Sequence, residues 1–442
     1  MGKAVLIGLQ HVFAMFVGNL APILLVAGLL TTVTDTDRLM LVQCAMFMSG
    51  VATLIQIYPI KFGKRFQIGS GLPLVMGTSF AFVPTMMLLA PEFGIAGILG
   101  GSLAGGVIGV IFGIFIKPLK RFFPPVVIGS VLITIGINLL GIGANYLAGG
   151  VGSPDFGSIE NLGIGFTVFL IIMLLNRFAK GMLKTVGILI GIAVGYIIAA
   201  AFGMLNFTNV VEASWFSFPQ PLYFMPEFHL DAIIAIAVVY IIIALETMGN
   251  SAGITIATMD RDISPQEASG GIVANALSSM VGAVFGALPN AAFGQNAGIV
   301  SMTKVINRFA VATGAVIMIL IAFLPKVGEL FSAMPACVLG GAVISVFAMI
   351  MLNGIKMIAR DGFDERKTLI LAVTFGLGYG IGSLHGVGLA LPPVVDFIFK
   401  EPVTAVCVVS ILANILFTPR KKKDLAIDSK KDLEKDKENQ NG

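Results

Sequence analysis

The chain has 442 residues, of which 57% are hydrophobic and only 12% charged, and its mean hydropathy is +0.96. A soluble protein of this size carries roughly twice that share of charge, so a water-soluble domain is excluded and a polytopic helical membrane protein is expected. The net charge of +4 says little as a sum and gives no reason to expect a nucleic-acid partner; its distribution along the chain says more.

The first apolar run, 4–30, is too long for the core of a cleavable signal and carries Gln10 and His11 inside it, so it reads as a membrane span. Further apolar segments follow at 39–58, 72–90, 93–116, 124–143, 160–178, 185–204, 230–249, 268–286, 289–303, 309–325, 335–352, 368–384 and 401–418, which makes 14. The cysteines, Cys44, Cys337 and Cys407, all fall within such segments, which indicates neither a disulfide framework nor a cysteine metal site.

The loops between these segments alternate in charge. One side holds 25 of the 28 basic residues, from Lys3 to the tail that begins at Arg420; the other holds only Arg38, Lys326 and Lys400. Basic residues accumulate on the cytoplasmic side of membrane proteins, so both termini are expected in the cytoplasm. The tail, 420–442, alternates in charge and has no apolar periodicity, so it is expected to be disordered. Its basic start suits either contact with anionic lipid or a simple stop-transfer flank.

Seven segments per half bring the second half into the membrane from the opposite side, which permits an inverted repeat. Two matching segments are irregular. Residues 289–303 span roughly 22 Å as a helix of 15 residues, too short to cross. Extending about five of them brings the length to about 30 Å. The third segment, GSGLPLVMGTSFAFVPTMM, contains Gly71, Pro73, Gly77 and Pro84 as breakers. Both read as a short extended piece leading into a half-helix, an arrangement tolerated at membrane depth only inside protein or against a cavity.

Glu246 lies in the eighth segment with 14 residues between it and Asp231 and 13 between it and Asp260. Its side chain is too short to reach the interface, and an acid at that depth marks an ion or substrate path. In the tenth segment Gln295 and Asn296 are adjacent amides at the expected helix start, where free N–H groups meet a ligand. A glutamine amide offers one acceptor and two donors in a plane, which suits the alternating edge of an oxopurine; Asn296 suits a helix N-cap equally well. Of the histidines, His11 lies inside the first span, His229 begins the eighth span at the interface, and His385 falls in a loop.

FGQNAGIVSMTK resembles the signature of the nucleobase–ascorbate transporter family, Q/E/P-N-x-G-x-x-x-x-T-R/K/G, with Gln295, Asn296, Gly298, Thr303 and Lys304 in place. The likeness continues in GLQHVFAMFVG, MGTSFAF and ALETMGN, and only the last 23 residues lie outside it. It implies an all-α polytopic membrane fold of 14 segments in two inverted repeats of seven, with short strands breaking segments 3 and 10. It further implies a core domain of 1–122 and 229–332, a gate domain of 123–228 and 333–419, and commonly a homodimer in the plasma membrane.

By that likeness Glu246 and Gln295 hydrogen-bond the nucleobase, Phe80 packs near it, and Ser79 and Gly294 offer backbone; Asn296 and His11 support the site. Glutamine at 295 leans toward xanthine or uric acid, because an amide donates to a purine carbonyl and an ionised carboxylate cannot. Ser79 either leaves room at the purine C8 edge or merely satisfies local backbone.

The positions where many purine transporters of the family carry aspartates hold Asn250 and Asn275, which leaves Glu246 as the sole acid within the spans of the core. No cofactor is expected beyond a coupling ion, H+ by family likeness or Na+ as the competing account. Alternatives are a uracil or pyrimidine permease, disfavoured by Gln295; an anion exchanger of the sulfate-permease kind; and a channel. No nucleophile–base pair or metal cluster suggests an enzyme, and no phosphate-binding loop suggests an ATP-driven pump.

Overall fold

A computed structural model of the protein describes residues 2–30, 32–63, 66–383, 399 and 401–418. His385, Lys400 and the tail of 420–442 lie outside the described residues. Among the described residues each of the 14 expected segments contains helix. The first repeat runs through α1 (Gly2–Gly28), α2 (Asp35–Ile57), a hairpin of β1 (Ile60–Phe62) and β2 (Phe66–Ile68), β3 (Met76–Thr78), α3 (Val83–Ile114), α4 (Pro125–Leu147), α5 (Ile159–Phe178) and α6 (Gly187–Ala201). The second runs through α7 (Leu230–Met259), α8 (Pro265–Val284), β4 (Asn290–Ala292), α9 (Gly294–Thr303), α10 (Arg308–Ala322), α11 (Ala336–Asp361), α12 (Glu365–Val373) and α13 (Pro402–Phe417).

Segments 3 and 4 are both in α3, which bends at Gly94, a residue with φ of 62° that glycine adopts at little cost. Pro84, expected to break the third segment, sits instead in the first turn of α3, where the missing N–H is not needed. Seven helices among the described residues are long and apolar enough to cross a membrane unaided. Others complete their crossing with extended backbone or a second piece: β3 and β4 precede half-helices, and α12 continues through a π-helical turn at Thr374–Tyr379. The β1–β2 hairpin, which the apolar pattern did not suggest, pairs Ile60 with Ile68 and turns at Gly63.

The second helix of each repeat starts in the same way. Thr34 Oγ1 accepts from Asp37 N at 3.2 Å while the Asp37 carboxylate accepts from Thr34 N at 2.8 Å. Ser264 and Glu267 make the equivalent pair at the start of α8, at 3.2 and 2.9 Å. Each is a capping box, satisfying two backbone donors that a helix start leaves free.

Two sets of helices pack within themselves. In one, α3 lies along α7 and α8, and α10 lies along α1 and α2; in the other, α11 lies along α4 and α5, and α13 lies against α4 and the π-helical turn. The α4–α11 crossing is close because Gly340 lets backbone touch backbone. A Cβ added there would lie 2.0 Å from Leu147 N and 2.4 Å from Tyr146 C. Neither atom can rotate away. Gly340→Ala is therefore expected to destabilise the protein by roughly 1–3 kcal/mol, seen as a lowered Tm in detergent. Gly141→Ala, which lies inside α4 and whose Cβ meets nothing within 4 Å, should not lower Tm.

Candidate functional site

The two broken segments meet. β3 and β4 pair antiparallel, with Met76 opposite Ala292, Gly77 opposite Ala291 and Thr78 opposite Asn290. All six residues are buried, so every backbone polar group left over by so short a ladder needs a partner inside the protein. Side chains supply many of them. Asn19 Oδ1 of α1 accepts from Thr78 N at 2.7 Å and from Ser49 Oγ at 2.8 Å. Thr53 Oγ1 accepts from Met76 N at 2.9 Å, and Ser279 Oγ accepts from Asn290 N at 3.0 Å. Asn250 Nδ2 donates to Ala292 O at 3.0 Å. The Phe293 ring lies against the backbone of α1 and β3, where a Cβ on Gly18 or Gly77 would come within 2.7 or 2.6 Å of it.

Each strand hands over to a helix start. After β3, Ser79 N donates to Pro289 O at 3.0 Å, and Ser79 Oγ accepts from Ala81 N at 3.2 Å, capping a single turn at Phe80–Phe82 that runs into α3. After β4, α9 begins at Gly294 with Phe293 in the capping position and no side-chain cap. Asn296 is thus inside the first turn and not the N-cap. Both helix starts face a cavity of about 570 Å³.

Glu246, Gln295, Gly294, Phe80 and Ser79 all line that cavity. Gln295 projects into it, and neither its amide nor the Glu246 carboxyl has a hydrogen-bond partner among the described residues. Phe80 is 7% exposed and stands edge-on to Phe347 of α11, with ring centroids 5.3 Å apart. One carboxyl and one planar amide therefore address the same space without being spent on the protein itself, beside the packed ring of Phe80.

The remaining expected residues lie behind the wall. Asn296 is fully buried, and its Nδ2 donates to His11 O at 2.9 Å and to His11 Nδ1 at 3.1 Å, tying α9 to α1. Asn275 Nδ2 approaches Thr247 Oγ1 at 3.4 Å, beside Glu246, while its buried Oδ1 is unpaired. His229 begins α7, half exposed and stacked on Phe93 at 4.6 Å.

The profile of the family described as "Permease family" (Xan_ur_permease) matches residues 2–386. The chain belongs to the nucleobase–ascorbate transporter family. It is 36% identical over 418 residues to the xanthine permease of Bacillus subtilis, covering 94% of this chain and 94% of that protein. It is 34% identical to the uric acid permease PucJ of the same organism, covering 96% and 94%. Among solved structures, the transmembrane domain of the cyanobacterial bicarbonate transporter BicA superposes with a TM-score of 0.58 at 16% identity, over 94% of this chain and 96% of that one. That likeness is one of fold alone. The protein is a multi-pass membrane transporter and not an enzyme.

The opposite wall of the transporter's cavity was not legible in advance. Asn176, Lys184, Ser345 and Asn353 line it, together with Leu132, Ile135, Met349 and Ile350. No motif marks them. Lys184 reads in the sequence as one of many basic loop residues, and only the fold turns it inward. These positions fall on α4, at the end of α5, just before α6 and along α11 from Ser345 to Asn353, so the cavity runs toward the side bearing Arg177, Lys180 and Lys356.

Asn19 and Gln295 should separate scaffold from site. Asn19→Ala strands the Thr78 N–H in a buried position, at a cost of about 1–3 kcal/mol, and is expected to lower Tm without ligand. Gln295→Ala loses no internal partner, so stability without ligand should stay within about 0.5 kcal/mol of wild type and Tm nearly unchanged, while the rise in Tm on adding substrate is expected to disappear.

Proposed function

We propose that this transporter is a secondary active importer of a purine nucleobase, xanthine or uric acid, by symport with a proton. The observation that carries the reading is the joint presentation of the unpaired Glu246 carboxyl and Gln295 amide to one cavity, beside two helix starts. The amide donates to a purine carbonyl and accepts from a ring N–H, and Glu246 holds both a ring N–H and the coupling proton. Two relatives that match nearly the whole chain bear the names xanthine permease and uric acid permease, which supports a purine over a pyrimidine. The bicarbonate transporter shares the fold only.

In this reading 1–122 and 229–332 form a core that carries the bound base, and 123–228 and 333–419 form a gate against which it moves. Asn296 and His11 keep the core half-helix seated on α1, and Asn250 and Asn275 stand where other members carry acids. The protein works as a homodimer in the plasma membrane with both termini in the cytoplasm. The cavity then opens inward, and the base leaves past Asn176 and Lys184.

Radiolabelled xanthine uptake in cells lacking their own permeases, challenged with urate, hypoxanthine, guanine, adenine and uracil, tests the substrate class. Strong competition by uracil with none by urate would overturn it. Glu246→Gln is expected to abolish concentrative uptake with membrane insertion intact, because no other acid among the described residues lines the cavity. Uptake by the wild type should fall as external pH rises and collapse under a protonophore. Uptake that vanishes when choline replaces sodium, and that ignores the protonophore, would replace the proton with sodium.

Gln295→Glu turns a donor into an acceptor opposite a purine carbonyl. An unpaired polar edge of this kind costs about 1–3 kcal/mol, so inhibition constants for xanthine and urate should rise about 5- to 150-fold. Unchanged constants across the purine panel would remove Gln295 from the base.

A further inference from the structure

A second cavity, of about 270 Å³, occupies the other end of the same helix interface. Three elements show the relation. Along α4, Ile135 lines the first cavity, Leu139 is fully buried, and Ile142 lines the second. Along α11 the order runs from Val346 through the buried Val343 to Leu339, and in the third segment from Phe80 through the buried Met86 to Met87. An apolar plug, with Phe80 against Phe347, therefore parts two cavities at opposite ends of this helix interface.

The second cavity carries a cation with donors to spare. Arg38 lines it with Asn145, Tyr146, Ser153 and Ser332. Arg38 Nε and Ser332 Oγ are both buried and both without a hydrogen-bond partner. The charges around them leave the guanidinium available. Its Nη1 lies 3.5 Å from Asp35 Oδ1, but that carboxylate is 65% exposed, and its other oxygen accepts from Asn209 at 3.0 Å. Solvent-exposed pairs of this kind are weak and screened. The carboxylate of Asp155 is occupied by Ser153 and by Asn161. Lys326, also on this side by the charge pattern, has its Nζ bound to Val210 O and Val211 O at 2.9 Å each.

A guanidinium is a planar fork of donors that matches the carbonyl edge of a flat anion. We infer that this cavity is a capture site for the anionic form of a purine on the side opposite the basic loops, with Arg38 and Ser332 as its donors. The inference rests on the purine-transport reading above. The site holds the anion weakly, ahead of the plug, and delivers it when the plug parts. Its electrostatic contribution is long-ranged and falls with ionic strength.

Uptake by intact cells of urate, an anion at neutral pH, and of hypoxanthine, a neutral purine, tests it at low and high ionic strength. Arg38→Gln should raise KM for urate about 3- to 10-fold at low ionic strength, leave the maximal rate and the hypoxanthine KM unchanged, and abolish the salt dependence of urate uptake. Arg38→Lys, which keeps the charge, should retain that salt dependence. Ser332→Ala should raise the urate KM by a smaller factor. An equal change for both purines, or a fall in maximal rate alone, would overturn the capture site and leave purine transport standing. No purine uptake by the wild type would overturn both.

Discussion

Extended backbone deep in a membrane must be satisfied by the protein itself, and the pairing of β3 with β4 is where this molecule meets that constraint. A three-residue ladder cannot satisfy its own outer edges. Asn19, Thr53, Asn250 and Ser279 do so from four different helices, α1, α2, α7 and α8. The result is a rigid bracket that fixes two helix starts toward one cavity. The positions of Gln295 and Phe80 follow from it, since each sits within three residues of a strand end.

The site divides its polar groups into those used by the fold and those left free. Asn296, Asn250 and Ser79 are engaged with the protein, to α1, to β4 and to their own turn. Glu246 and Gln295 are not: both stand on the cavity wall, Gln295 exposed and Glu246 part-buried. Seen this way, the asparagine beside the glutamine in the signature is a fastener, and the glutamine is the hand it holds steady.

Much of this was legible because membrane physics writes large letters. Apolar length gave 14 segments, and the shortness of 289–303 with the breakers near Gly77 gave the two interruptions. The third and fourth segments share one bent helix because Gly94 turns the chain without a loop. The capping boxes at Thr34 and Ser264 were readable as Ser/Thr followed three residues later by an acid, and would have sharpened two boundaries. The bracket and the far wall were not readable. Asn19, Thr53 and Ser279 are ordinary small polar residues within spans, and Asn176, Lys184 and Asn353 acquire their place only when α5 and α11 pack across from the motif. Patterning locates elements along the chain; it does not say which distant polar group will face which.

The separation of β3 from β4 has a consequence for how the protein is made. Thr78 and Asn290, paired in the ladder, stand more than 200 residues apart in sequence, and Asn296 reaches His11 across 285. During synthesis β3 has no partner strand until the tenth segment emerges. Domains otherwise tend to fold as they are produced, and unpaired strand edges invite wrong partners. Asn19 and Thr53, on α1 and α2, precede β3 in the chain, so the partners of the Thr78 and Met76 N–H groups are made long before β4.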